Sequence, residues 1–479
     1  MSGIEQRAGG WRELRSEGTL GCLLLVCFGV WLHAADGLLV ATMMPRIIGD
    51  IGGARLVSWT ISLYEIGSIV AGASGAFLCM RYGLRAAMAA AALVYMIGCG
   101  ISALAPAMAV MLLGRLAQGV GGGGLTALSF IAVSLLFSRA AMPRVMAAVS
   151  ALWGISAFIG PLVGGVFADA QLWRGGFWFF AAQAAALAAW IGFGSALTAR
   201  ANKAAASGGL PLGRVAVLSA GVLAIASAGI EVTPLRTPLF LAAGFLLLGL
   251  FLRLDGRDGS SRLLPARPLD PRTGLGAALL MVFCFSAATI PMSLYGPLLF
   301  TRLHGISALT AGYIVALSSI GWSVMAVAVA GAQERHDGPL ILGGMAVLTV
   351  SILGFMLTVP GGSLWLVTVC AALEGVGFGM SWTFVLRRVT ALAPPGETER
   401  ASAALPTLQR LGYALGAAYT GIVANATGIA DRMERATAQA VGFWIFAACL
   451  PLAAIGLFAA WRFVRLARAG VGSDSQPGR

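Results

Sequence analysis

Between Leu340 and Val359 the chain runs for twenty residues without a charged side chain, and stretches of this kind recur from end to end. About 20 apolar residues in a helix cross the hydrocarbon core of a bilayer. A membrane β-barrel instead shows runs of about 10 residues with strict alternation. The runs here are unbroken, so the expected fold is an all-α membrane protein that crosses the bilayer many times. Composition agrees: 58% of the 479 residues are hydrophobic, only 11% are charged, and the mean hydropathy is +0.87. A soluble domain carries about 25% charged residues, so this chain has too few to make a water-soluble surface.

The apolar runs predict about fourteen spans, near residues 18–44, 55–80, 85–105, 107–137, 144–168, 175–198, 214–233, 237–254, 274–301, 306–331, 340–359, 364–388, 403–427 and 440–465. The formal net charge of +13 invites a nucleic-acid reading, but the arginines sit in short loops between apolar runs, with no basic face and no aromatic RNA motif. Loop arginine is the ordinary signature of the cytoplasmic side of a membrane. Arg7, Arg12, Arg81, Arg85, Arg139, Arg144, Arg200, Lys203, Arg387 and Arg388 fall on one side, against Arg46, Arg55, Arg174 and Arg236 on the other. Both termini are therefore expected in the cytoplasm. The polar N-terminal stretch is too long for a typical signal peptide, so the first span should be retained. Lys203 is the single lysine, which points to a GC-rich bacterial genome and a bacterial inner (plasma) membrane.

Two loops read as joints: residues 198–214, small and basic, and residues 255–274, rich in Pro, Gly and Arg. They bracket two plain apolar spans. The expected organisation is a cytoplasmic tail (1–17), a six-helix bundle (18–198), a linker with two extra transmembrane helices (199–272), a second six-helix bundle (273–465) and a cytoplasmic tail (466–479). Six plus six is the architecture of transporters built from two pseudo-symmetric halves.

The first half carries a set of Gly, Pro and Arg patterns: Asp36 with Pro45 nine residues on, Met80-Arg81-Tyr82-Gly83-Leu84-Arg85 in a loop, Gly114-Arg115 followed by Gln118, Gly119 and Gly121, and Gly160-Pro161 followed by Gly164 and Gly165. Near the C-terminal end stand Gly412, Ala414, Leu415 and Gly416. In these residues, and in its central pair of spans, the chain resembles the major facilitator superfamily, specifically the fourteen-helix branch of drug:proton antiporters. The resemblance runs over nearly the whole chain. It implies two six-helix bundles with two extra central helices, and a role for Arg115 in proton transfer. It also implies that Gly83, Arg81 and Arg85 mark a loop whose usual acidic residue locks a conformation. Here Met80 occupies that acidic position, so that gating interaction is not expected in its usual form.

The physics of the small residues points the same way. Gly160 and Gly164 let two helices approach closely, and Pro161 loosens one backbone bond. Tight packing without motion is the competing reading. Charges inside a membrane are costly and therefore functional candidates. They are Asp36, Glu65, Arg115, Glu374 and Arg410. His33 shares a helix face with Asp36 three residues on and is a candidate for proton handling, or else bonds a carbonyl. Glu65 and Glu374 either couple to protons or cations or form static salt bridges. Arg115 needs a partner at that depth, and Asp36 is the nearest candidate in the pattern. Tyr64, Trp153, Tyr295, Trp322, Trp382 and Tyr413 either wall a substrate cavity or pack against lipid.

The expected function is secondary active transport, with a proton-coupled antiporter exporting small lipophilic, cationic compounds by alternating access as the leading form. Export or import of an endogenous metabolite or siderophore on the same fold is the alternative. The expected partners are a small-molecule substrate, protons and the lipid bilayer, with no nucleic acid, for a protein that works as a monomer. No HExxH, GxSxG or GxxxxGK[ST] sequence occurs, which argues against an enzyme and against a nucleotide-driven pump. The seven cysteines make no metal-binding spacing, so no metal and no cofactor is expected and the proton gradient is the energy source.

Overall fold

The computed structural model describes residues 17–138, 141–194, 212–257, 262–393, 397–430 and 433–473. The expected N-terminal tail, the end of the C-terminal tail and most of the 198–214 joint lie outside the described residues. All regular structure among the described residues is helical: α1 (Glu17–Ile51), α2 (Val57–Tyr82), α3 (Leu84–Ala103), α4 (Met108–Leu136), α5 (Met142–Asp169), α6 (Trp173–Phe193), α7 (Leu212–Ser227), α8 (Arg236–Arg257), α9 (Gly274–His304), α10 (Ala308–Val329), α11 (Asp337–Thr358), α12 (Leu364–Leu392), α13 (Thr398–Ala426), α14 (Arg435–Ala447) and α15 (Leu450–Ser473), with 3-10 turns at Ala54–Leu56 and Glu334–His336. Backbone groups in lipid must bond within their own segment, and helices alone do this strand-free.

Among the described residues, twelve stretches are long and apolar enough to cross a membrane, with α14 and α15 counted as one stretch, Arg435–Leu466. A helix stands at each of the fourteen predicted spans, but two fall short of that measure. The first central helix, α7, has 16 residues, fewer than the about 20 a crossing needs. It ends in a turn at Ala228–Gly229, ahead of Glu231 and Pro234. α13 is long enough but carries Arg400 and Arg410 among small and polar residues. The last predicted span is broken at Ala448 and Cys449, just before Pro451, whose ring lacks the N–H that would continue the ladder.

The chain divides into two compact units. One comprises the described residues of 1–43 and 63–215, the other 44–62 and 216–479. Each is built on the same glycine scheme. In the first, α4 sets Gly119 and Gly123 against the backbone of Tyr64 and Ser68 on α2, and α5 sets Gly160 and Gly164 against Ala35 and Leu39 on α1. In the second, α12 sets Gly375 and Gly379 against Ser318 and Trp322 on α10, and α13 sets Gly412 and Gly416 against Phe283 and Ala287 on α9. Small residues four apart let backbones touch where any Cβ would intervene.

The two units anchor different loops. In the first, α2 and α3 are joined through Gly83 at φ +84°, a left-handed value that suits glycine. Beside it, Arg85 donates to the Ile191 carbonyl at 2.9 Å and to the Gly192 carbonyl, covering the C-terminal end of α6. In the second, α7 packs on α13 through Ile225, Ala226 and Ala418. The Asn425 amide ties three segments together, donating to the Arg55 carbonyl at 3.0 Å and the Gly229 carbonyl at 2.6 Å.

Candidate functional site

Asp36 lies in the middle of α1 and is 0% exposed; Arg115, on α4, is 2% exposed. Arg115 donates through one terminal nitrogen to Asp36 Oδ2 at 2.5 Å, and the same nitrogen donates to Gln118 Oε1 at 2.9 Å. Gln118 is one turn along α4 and hydrogen-bonds Cys99 Sγ at 3.0 Å through its amide nitrogen, while Ser102 donates to its Oε1 at 3.4 Å. The other carboxylate oxygen, Oδ1, accepts from the Tyr95 hydroxyl at 3.0 Å. The ion pair is thus held from α1, α3 and α4 at once.

The guanidinium also lies 4.3 Å from the centre of the Tyr64 ring, a cation–π arrangement from α2. The Tyr64 hydroxyl meets His33 Nδ1 at 2.7 Å, and the two rings stack with centroids 5.4 Å apart. Trp153 of α5 meets the His33 ring edge-on at 6.1 Å. His33 therefore engages Tyr64 on one side of the cluster while Asp36 engages Arg115 and Tyr95 on the other.

The glycines of the fourth predicted span explain why these groups meet. A Cβ at Gly119 would overlap the Tyr64 carbonyl, one at Gly121 would overlap the Tyr95 backbone, and one at Gly114 would lie 2.7 Å from the Gly98 carbonyl. α4 is pressed against α2 on one side and α3 on the other, which brings Tyr64 onto Arg115 and Tyr95 onto Asp36. On α5, a Cβ at Gly160 would come within 3.1 Å of the Ala35 carbonyl and one at Gly164 within 2.7 Å of the Leu39 carbonyl, with Pro161 between them inside the helix. That packing closes α5 over the stretch of α1 that carries Asp36, and Gly165 beside it is buried.

The other candidates stand elsewhere. Glu65 follows Tyr64 on α2 and is half-buried. Glu374 is buried in the second unit with the Ser318 side chain as a hydrogen-bonding partner. Arg410 is half-buried on α13, where its neighbour Gln409 donates to the Tyr413 hydroxyl at 3.0 Å. Trp322 stacks on Phe378 at 5.1 Å and lies 5.7 Å from Trp382. Arg81 lies over the Tyr82 ring, and Met80 is exposed. An acidic residue does clamp the corresponding loop of the second unit: Asp337 pairs with Arg387, and with Arg388 at 3.5 Å.

Sequence reading missed Tyr95, Cys99 and Asp337. Tyr95 and Cys99 lie in a span of small apolar residues that carries no motif, so nothing in the sequence set them apart. Among the described residues no group of His, Cys, Asp and Glu is placed to hold a metal ion.

A helical membrane chain of two similarly built units, with a buried ion pair in the first, has the layout of a transporter built from two halves. The sequence matches the Major Facilitator Superfamily over residues 26–417, and the chain belongs to that family. It is 29% identical over 475 residues to a "probable multidrug-efflux transporter" of Mycobacterium tuberculosis (strain ATCC 25618 / H37Rv), covering 96% of this chain and 98% of that one. Its fold is similar to that of a bacterial homolog of the human lysosomal transporter Spinster, with TM-score 0.67, 14% identity and coverage of 97% and 100% of the two chains. It is also similar to a D-xylose-proton symporter, with TM-score 0.64, 15% identity and coverage of 93% and 97%. The protein is a multi-pass membrane transporter of this superfamily and not an enzyme.

Proposed function

We propose that this chain is a proton-coupled antiporter that exports small lipophilic, cationic compounds from the cytoplasm by alternating access. It works in a bacterial plasma membrane with both termini inside and fourteen crossings, α7 spanning together with the turn that extends it from Ala228 to Ile230. The observation that carries the reading is the Asp36–Arg115 pair, fully buried at the centre of four helices. A carboxylate in that position is tolerated because a guanidinium and a phenol donate to it, while an amide braces the guanidinium, and it is the group whose charge a proton would cancel. Neutralising Asp36 frees Arg115 from its counter-ion and changes the balance of forces among α1, α3 and α4. Coupling then needs only that proton and cargo disfavour each other's binding, which is thermodynamic linkage. The likeness to an efflux transporter over almost the full length supports outward transport of foreign compounds.

The test is reconstitution of wild type and Asp36→Asn in liposomes containing a pH dye, with ethidium and other lipophilic cations added. Substrate-triggered proton flux in the wild type, absent in the variant, is the expected result. Equal flux in both would refute Asp36 as the coupling group.

A further inference from the structure

The Tyr95 hydroxyl has two acceptors at the same distance: Asp36 Oδ1 at 3.0 Å and the Leu32 carbonyl at 3.0 Å. A phenol has one proton to donate, so it serves one of them at a time. The Leu32 carbonyl lies one helical turn before Asp36 on α1, and a carbonyl oxygen has a second lone pair beyond its helical bond. The ring itself is fixed. Tyr95 is wholly buried, and its backbone lies so close to α4 that a Cβ at Gly121 would sit 2.6 Å from its Cα. Rotation of one O–H bond is the motion left to it.

We propose that Tyr95 is the positioning residue that lets Asp36 change charge inside a dry site, by turning its hydroxyl proton from Asp36 Oδ1 to the Leu32 carbonyl. This rests on the reading of Asp36 as the proton-coupling group. While Asp36 is ionised, Tyr95 donates to Oδ1 and Arg115 to Oδ2. A proton from the aqueous phase then adds to Oδ1. No bond within the protein breaks, and Tyr95 keeps its own proton. The new carboxylic O–H donates to the Tyr95 oxygen, and the Tyr95 O–H swings to Leu32. Arg115 is left facing a neutral carbonyl oxygen. Each buried polar atom of this trio has a partner in both states, which a phenylalanine at 95 would not provide.

The titratable and charged groups around Asp36 are Arg115 from α4, Cys99 and Tyr95 from α3, Tyr64 from α2 and His33 on α1 itself. From α5, Gly160 packs against Ala35 and brings no charge. Of these, Tyr95 has its O–H within hydrogen-bond distance of both the carboxylate and a main-chain acceptor.

The test is infrared difference spectroscopy of the full-length protein in lipid, recorded between acid and alkaline buffer. Wild type is expected to show a carboxylic C=O band, lost in Asp36→Asn, and a phenolic C–O band that appears over the same pH range. Ring-labelled tyrosine identifies the second band. In Tyr95→Phe the carboxylic band should persist at a displaced position and the phenolic band should vanish. A wild-type spectrum with the carboxylic band and no accompanying phenolic band, or a phenolic band retained in Tyr95→Phe, overturns the switch while leaving Asp36 as the proton site. If Asp36→Asn removes no band, Asp36 takes up no proton, and the parent reading falls with the switch. Should Tyr95→Phe not fold, labelled wild type against Asp36→Asn decides alone: the phenolic change must disappear with the carboxylate.

Discussion

The Asp36–Arg115 pair can be weighed by a double-mutant cycle of Asp36→Asn, Arg115→Gln and both together. Removing one member of a buried pair leaves an uncompensated charge and costs about 3–5 kcal/mol. In Asp36→Asn, Arg115 stays 2% exposed but keeps Gln118 at 2.9 Å and the Tyr64 ring at 4.3 Å. The cation–π contact offsets about 1–2 kcal/mol when desolvated, so a cost of about 3 kcal/mol is expected. In Arg115→Gln, the carboxyl keeps Tyr95 and can accept a proton in place of the lost cation, which caps the cost at about 2 kcal/mol. The double variant buries no charge, and its loss should be about 2 kcal/mol, chiefly imperfect packing. The singles sum to about 5, so the coupling is about 3 kcal/mol, at the upper end for residues in contact. Reversible unfolding in mixed micelles by titration with dodecyl sulfate, followed by tryptophan fluorescence, measures each corner. Additive costs, or singles below about 1 kcal/mol, would show that the pair is not the tightly held, desolvated contact seen here.

Gly119→Ala places a Cβ on the Tyr64 carbonyl and should cost about 1–3 kcal/mol by pushing α2 from α4, more than Gly160→Ala, where the nearest atom is 3.1 Å away; the same unfolding assay ranks them. Asn425→Ala removes two hydrogen bonds that join the Arg55 turn and the Gly229 turn to α13, a loss of about 1–2 kcal/mol, and should speed proteolysis at the turn between α7 and α8 relative to wild type.

Long apolar runs and loop arginines made most of the helices readable, because a lipid-spanning helix has a fixed length and few ways to hide charge. The exceptions are instructive. α7 stops at Ser227 although its apolar run continues through Ala228, Gly229 and Ile230, since hydropathy does not register a turn made of small residues. The break at Ala448 and Cys449 also lay inside one apolar run, although Pro451 beside it was a readable signal. The Asp36–Arg115 contact was foreseeable because a guanidinium at that depth must be answered. Its remaining partners were not, since Tyr95 and Cys99 reach it only through the close approach that Gly98, Gly114 and Gly121 allow between α3 and α4. Asp337 was overlooked because its partners, Arg387 and Arg388, lie a full helix away in sequence. Met80 marked the departure in the first unit without revealing that the second unit holds an acidic clamp.

The glycine scheme shared by the two units allows the ion pair to be asked a sharper question: whether packing needs it. Gly119 meets Tyr64 as Gly375 meets Ser318, so Arg115, four residues before Gly119, corresponds to Ala371. Gly160 and Gly164 meet Ala35 and Leu39 as Gly412 and Gly416 meet Phe283 and Ala287, so Asp36 corresponds to Cys284. Both Ala371 and Cys284 are buried. The second unit therefore builds the same helix contacts with a methyl group and a thiol where the first has a guanidinium and a carboxylate. By the same register Gln118 corresponds to Glu374, which is buried beside Ser318. A buried ion pair is weak in net stabilisation, and apolar residues of similar size often do as well. Helix packing of this kind is thus achieved without the pair in one half of the same chain, and desolvation makes it costly to keep in the other. That asymmetry favours a role for Asp36 and Arg115 in which charge itself is used.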